Sequence, residues 1–165
     1  MSRRLLVDLL VTHALAALVV GTAWWALAPA LDYRVFDGRA FSLAETDYTR
    51  IFTGDAVFVL LAVAAGLVSV GILLLRGHRG PWLPVGLAVG GVLGSVAAWG
   101  LGVLLGPGRL DALVAAAEDG AVVTAGPEIN AGAVLLVWPI VAVAVEFVAA
   151  WVSAPEPRSA PASPR

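Results

Sequence analysis

Hydrophobic positions crowd into four stretches of about 20 residues or more: Leu5–Leu27, Ala56–Leu75, Trp82–Leu105 and Ala131–Val152. A helix of about 20 residues crosses the roughly 30 Å of a bilayer's hydrocarbon, so each stretch predicts one transmembrane helix. Unbroken runs of this length exclude barrel strands, which alternate in hydropathy and are about half as long. The second and third runs carry no charge, the first contains Asp8 and His13, and the fourth contains Glu146. The expected fold is an all-α integral membrane bundle over residues 1–152, followed by a disordered Pro/Ala/Ser tail, 153–165.

The polar connections orient the bundle. Arg3 and Arg4 precede the first run, Arg76 and Arg79 lie in the short second connection, and Arg158 and Arg165 lie in the tail, with Glu156 the lone acid of these three segments. The two longer connections, 28–55 and 106–130, carry more acids than Arg. Arginine marks the cytoplasmic side, so both termini are expected in the cytoplasm of a multi-pass plasma-membrane protein. A single Cys in place of Ser2 or His78 should be shielded in intact cells from an impermeant thiol reagent, and one in place of Ser42 should react. Labelling at position 78 from outside would overturn this topology. A competing pattern is a signal peptide ending at Ala26-Leu27-Ala28; Pro29 after the scissile bond and bulky Trp24-Trp25 before it argue against cleavage.

The outer loops predict local structure. Tyr33–Phe36 and Arg39–Leu43 flank Asp37-Gly38, the signal of a hairpin with a type I′ turn. In the second loop Leu110, Leu113, Val114 and Ala117 recur at helical spacing, and Ala121–Thr124 is β-prone. A lone hairpin is marginal in water. The two loops are therefore expected to fold together as a small, partly β cap, with 121–124 as third strand.

Composition agrees with burial in lipid, with 60% of 165 residues apolar and 13% charged against about half and a quarter in soluble domains. The net charge of −2 offers no basic face to nucleic acid. Cys is absent, which removes disulfides, thiolate metal sites and a Cys nucleophile. The outer loops contain neither His nor a G-x-S-x-G elbow, so no catalytic set, metal site or cofactor site is expected.

Three groups of residues invite a functional reading. Asp8, His13 and Glu146 are ionisable residues at membrane depth, where they mark a functional site or a structural polar contact. Counting 1.5 Å per residue from the helix ends puts His13 about 12 Å and Glu146 about 9 Å from the inner face, which suggests that they pair. Gly86, Gly90 and Gly94 place small residues four apart on one face of the third helix, for bundle packing or a dimer interface. Trp99 and Trp138, with Asp55 at the outer end of the second helix, could line an outward-facing aromatic pocket, with tight packing as the alternative. Pro139 could kink the fourth helix. Trp24, Trp25, Trp82 and Trp151 lie where an interfacial aromatic belt is expected.

Several stretches together resemble a family of uncharacterised actinobacterial membrane proteins, domain of unknown function 2567. They are DYTRIFTGDAVFVLLAVAAGLVSV at 47–70, LAVGGVLGSVAAWGLGVLLG at 87–106, Leu136-Val137-Trp138-Pro139, and TAWWALAP in the first helix. The resemblance implies the four-helix topology and carries no activity. It tends to place an acid followed by an aromatic where this chain has Asp55-Ala56, a partial departure.

The function expected from sequence is a non-enzymatic accessory or scaffold protein of the cell envelope, in contact with the lipid bilayer and with other membrane proteins or further copies of itself. The alternatives are an extracytoplasmic ligand-binding or sensing module or small transporter, and third a membrane enzyme acting on a lipid or cell-wall precursor.

Overall fold

The computed structural model describes residues 2–43 and 47–153, with the backbone alone for 47–51. Residues 154–165, most of the expected tail, lie outside the described residues. Among the described residues four helical stretches are long and apolar enough to cross a membrane: α1 (Arg3–Leu27), α2 (Asp47–Leu75), α3 (Trp82–Leu105), and α5 (Val137–Val152) taken together with the 3₁₀ turn at Gly132–Leu136 that leads into it. A small cap completes the fold, built from β1 (Leu31–Phe36), β2 (Arg39–Ser42), α4 (Leu110–Ala116) and β3 (Val122–Ala125).

The helix boundaries follow local chemistry. Ser2 caps α1 by accepting the Leu5 N–H at 3.2 Å, and α1 ends at Ala28 before Pro29. Helix α2 begins nine residues before the expected Ala56. The apolar stretch measures only what can cross lipid, whereas Asp47–Gly54 contains no proline to stop a helix, and Asp47 suits a helix N-terminus. Pro139 lies at the start of α5, directly after the 3₁₀ turn. It occupies the first turn, where the missing N–H would have no intrahelical partner in any case.

Around the bundle the order is α1, α3, α5, α2, and the consecutive helices α2 and α3 lie across the diagonal. The buried face of α1 runs Leu5, Leu9, Thr12/His13, Ala17, Val20/Gly21 and Trp24, steps of three and four that keep to one side of a helix. The buried face of α3 starts large, at Leu83 and Leu87, then turns small, at Gly91, Gly94, Ser95, Ala98 and Gly102. That taper makes room for two indoles. A methyl at Gly94 would stand 3.0 Å from the Trp138 ring, and one at Gly102 would overlap the Trp24 ring. Both tryptophans are fully buried.

The cap forms as the loops predict. Asp37 (φ 52°) and Gly38 (φ 68°) supply the positive φ angles of the tight β1–β2 turn. Antiparallel β3 adds on the other side of β1, with Leu31 opposite Ala125 and Arg34 opposite Val122, giving the order β2-β1-β3. Two loop carboxylates lock the halves together: Asp119 accepts the Asp37 N–H at 2.9 Å, and Asp32 accepts the Thr124 hydroxyl at 2.6 Å. Helix α4 packs against β3 and β2.

Candidate functional site

The polar residues expected to meet inside the membrane are separated. Asp8 pairs with the α2–α3 turn: its Oδ1 accepts from Arg76 Nη1 at 2.5 Å, and its Oδ2 lies 2.7 Å from His78 Nε2. Five residues separate Asp8 from His13, a net rotation of about 140° around the helix, so the two side chains leave α1 in different directions. His13 turns inward. It donates Nδ1–H to the Leu9 carbonyl at 2.8 Å and stacks on Trp138, with ring centroids 5.7 Å apart and planes 14° from parallel.

Glu146 is half-buried and makes no hydrogen bond or ion pair with the described residues, so its expected pairing with His13 does not form. Counting depth from each helix's own end treated the ends as level. The stacked rings put Trp138, eight residues from Glu146, at the height of His13 instead.

Gly86, Gly90 and Gly94 all face neighbours within the chain. A methyl at Gly86 would strike the end of the Leu9 side chain, one at Gly90 would lie 2.9 Å from the His13 ring, and Gly94 abuts Trp138. The neighbouring Gly91 meets Pro139, where a methyl would stand 2.8 Å from a backbone Cα. This is close packing of α3 against α1 and α5, the use small residues four apart serve between helices.

The expected aromatic pocket is not assembled. Trp138 is fully buried against His13, while Trp99 is 37% exposed on the outside of α3. Asp55 does structural work near the same end of the bundle. Its two oxygens accept the backbone N–H groups of Asn130 and Ala131, both at 3.0 Å, and so cap the 3₁₀ turn from a neighbouring helix. The carbonyl of the preceding residue, Gly54, accepts the Trp24 indole N–H at 2.9 Å, and Trp24 meets Phe58 edge-on. Trp24 thus belongs to the core and not to an interfacial belt, while Trp25, Trp82 and Trp151 are exposed. The Asp55→Asn variant, which replaces one acceptor oxygen with a donor, should lose about 1 kcal/mol. Faster amide exchange confined to Asn130 and Ala131 would locate the loss, and unchanged exchange there would refute the capping role.

Four buried polar atoms in the bundle have no partner among the described residues: His13 Nε2, Trp138 Nε1, Ser69 Oγ and Ser95 Oγ. Sequence reasoning missed Ser69, because a serine within an apolar run gives no sign of which face it occupies, and read Ser95, four after Gly91, as a small packing residue on α3 and not as a polar group. No group of three or more potential metal ligands occurs among the described residues.

Two apolar grooves flank α1. The one shared with α3 has a volume of about 480 Å³, with Leu10, Ala14, Gly90 and Leu93 in its lining, and His13 at its edge. The one shared with α2 has about 370 Å³, with Leu15, Val19, Ala64 and Val68 in its lining. Between them α1 stands out as a ridge, with Leu10, Leu15, Leu18 and Val19 each more than half exposed. Comparison with protein-family models, curated proteins and solved structures finds no match.

Proposed function

We propose that this chain is a multi-pass membrane protein with its cap outside the cytoplasmic membrane and both termini inside, acting as a non-enzymatic accessory or scaffold for other membrane proteins. The arginine asymmetry of the connections supports the orientation. The observation that carries the scaffold reading is the α1 ridge between two grooves. The exposed small residues in the lining of the α1–α3 groove, Ala14 and Ala97, allow a second helix to come close, which is how helices associate in lipid. The partner is therefore a transmembrane helix of another envelope protein. The resemblance to domain of unknown function 2567 supports the topology and leaves the partner open.

The test is co-purification in mild detergent after crosslinking in native membranes. One defined protein should be captured from a photo-crosslinker at Leu10. It should be lost when the groove is filled by Val89→Trp in a variant that melts like the parent chain. Capture that survives groove filling would overturn the reading.

One observation favours a second reading, a small transporter or sensor. Buried polar atoms are normally hydrogen-bonded, and four unpartnered ones in one small bundle suit the passage of a proton or a small polar molecule. Proteoliposomes should then dissipate an imposed pH gradient, and the His13→Leu variant should not.

A further inference from the structure

The two faces of the cap sheet differ sharply. Leu31, Tyr33, Val35, Ala40, Val123 and Ala125 alternate onto one face, where Val35 and Ala125 are buried. The opposite face is exposed throughout, and its register sets Phe41 opposite Arg34 and Phe36 opposite Arg39, with Val122 beside Arg34. Two phenylalanines, each more than half exposed, and two arginines thus alternate like a checkerboard across neighbouring strands. Arg34, Phe36, Asp37, Arg39 and Phe41 enclose a surface depression of about 440 Å³. Among the described residues neither arginine has an ion-pair partner; of the two carboxylates beside them, Asp32 is engaged by the Thr124 hydroxyl and Asp37 sits in the β1–β2 turn at the rim of the depression.

We propose that this face docks on the anionic lipid surface of the outer leaflet, Arg34 and Arg39 holding phosphodiester headgroups while Phe36, Phe41 and Val122 enter the interface. The proposal rests on the membrane reading above. Charge complementarity selects the partner, since guanidinium forks match phosphate oxygens and an exposed aromatic sits favourably at headgroup level.

Only residues 28–30 separate α1 from β1, so Leu31 starts within about 10 Å of the end of α1; Phe36 lies about 17 Å further along the strand, so the sheet must lie along the membrane for Phe36 and Arg39 to meet headgroups. The headgroup layer is itself about 5–8 Å deep on each side of the hydrocarbon. Trp25 and Leu27 at the end of α1, and Leu43 and Phe52 on the approach to and first turns of α2, are also exposed apolar residues at the cap end of the bundle.

Because the chain has no cysteine, a single label can report on the face. The full-length Val122→Cys variant would carry an environment-sensitive dye in vesicles of phosphatidylcholine alone or with phosphatidylglycerol. An Ala115→Cys label on exposed α4 serves as reference. With phosphatidylglycerol present, nitroxides attached near the lipid headgroup should quench the label at 122, and aqueous iodide should quench it less than the label at 115. Arg34→Gln and Arg39→Gln should each lower the ratio of docked to free cap about fivefold. Salt near 1 M, where the screening length falls to about 3 Å, should release the cap.

Equal iodide access at 122 and 115 in both membranes would overturn the proposal. So would shielding that ignores lipid charge and both arginine variants, since a protein or a second copy would then be the cover. Flotation with the vesicles reads membrane insertion separately. A chain that floats but does not dock refutes this inference alone, and one that does not float refutes the membrane reading.

Discussion

The Trp138→Ala variant should lose about 3 kcal/mol or more of folding stability, measured by steric trapping or by SDS titration in mixed micelles. The indole is fully buried where three helices converge. Gly94 of α3 makes room for its ring, His13 of α1 stacks on it, and the Trp138 carbonyl lies 3.0 Å from where a methyl on Gly66 of α2 would stand. Removing it leaves a cavity that neither the rigid glycine surface nor the stacked imidazole can fill. In lipid the transfer part of this loss shrinks, because acyl chains are as apolar as the core, but the dispersion contacts are still forfeited.

A double-mutant cycle makes the prediction specific. His13→Leu combined with Trp138→Ala should show a coupling of about 0.5–1.5 kcal/mol, the range for stacked ring pairs. His13→Leu combined with Glu146→Leu should be additive to within about 0.5 kcal/mol, since those side chains do not touch. Coupling in the second pair with none in the first would mean that α5 sits in a different register.

These cycles also mark where sequence reasoning stopped. Length and apolarity revealed four helices because that requirement is local, as each run must hold its own backbone hydrogen bonds. The β1–β2 turn was equally legible, since Asp37-Gly38 tolerates φ angles that few residues adopt. The third strand followed from the need to complete a hairpin too small to stand alone.

What escaped were relations between helices. Whether Trp24 is an interfacial anchor or a core residue depends on the absence of a side chain at Gly102, 78 residues away. Whether Asp8 meets His13, Glu146 or Arg76 depends on rotation about α1 and on where the α2–α3 turn crosses beneath it. Neither is encoded in hydropathy. Small residues on α3 signalled close packing, but the partners that fill each gap are set by the helix order α1, α3, α5, α2, which no single segment carries.

That order makes the glycines a graded test of the packing. At Gly91 a methyl would stand 2.8 Å from Pro139 Cα, and at Gly21 it would stand 2.6 Å from the Ala98 carbonyl oxygen. Both obstacles are backbone, so neither can rotate away, and accommodating even one carbon requires α3 to part from α5 or from α1. Gly91→Ala and Gly21→Ala should each cost about 1–3 kcal/mol, the usual penalty of overpacking. Gly86→Ala should cost less, because its obstacle is the flexible end of Leu9. Gly71 and Gly100 have no atom within 4 Å of an added methyl. There Ala should be neutral or stabilising by up to about 1 kcal/mol, as expected for replacing glycine inside a helix. The five variants, melted in one detergent, should therefore fall on both sides of the parent chain. A uniform loss at all five positions would mean that glycine serves here through flexibility, and a uniform gain would mean that α3 does not touch α1 and α5 closely. The opposite signs at Gly91 and Gly100, nine residues apart on one helix, follow only if the α1–α3–α5 contact is the tight seam of the bundle.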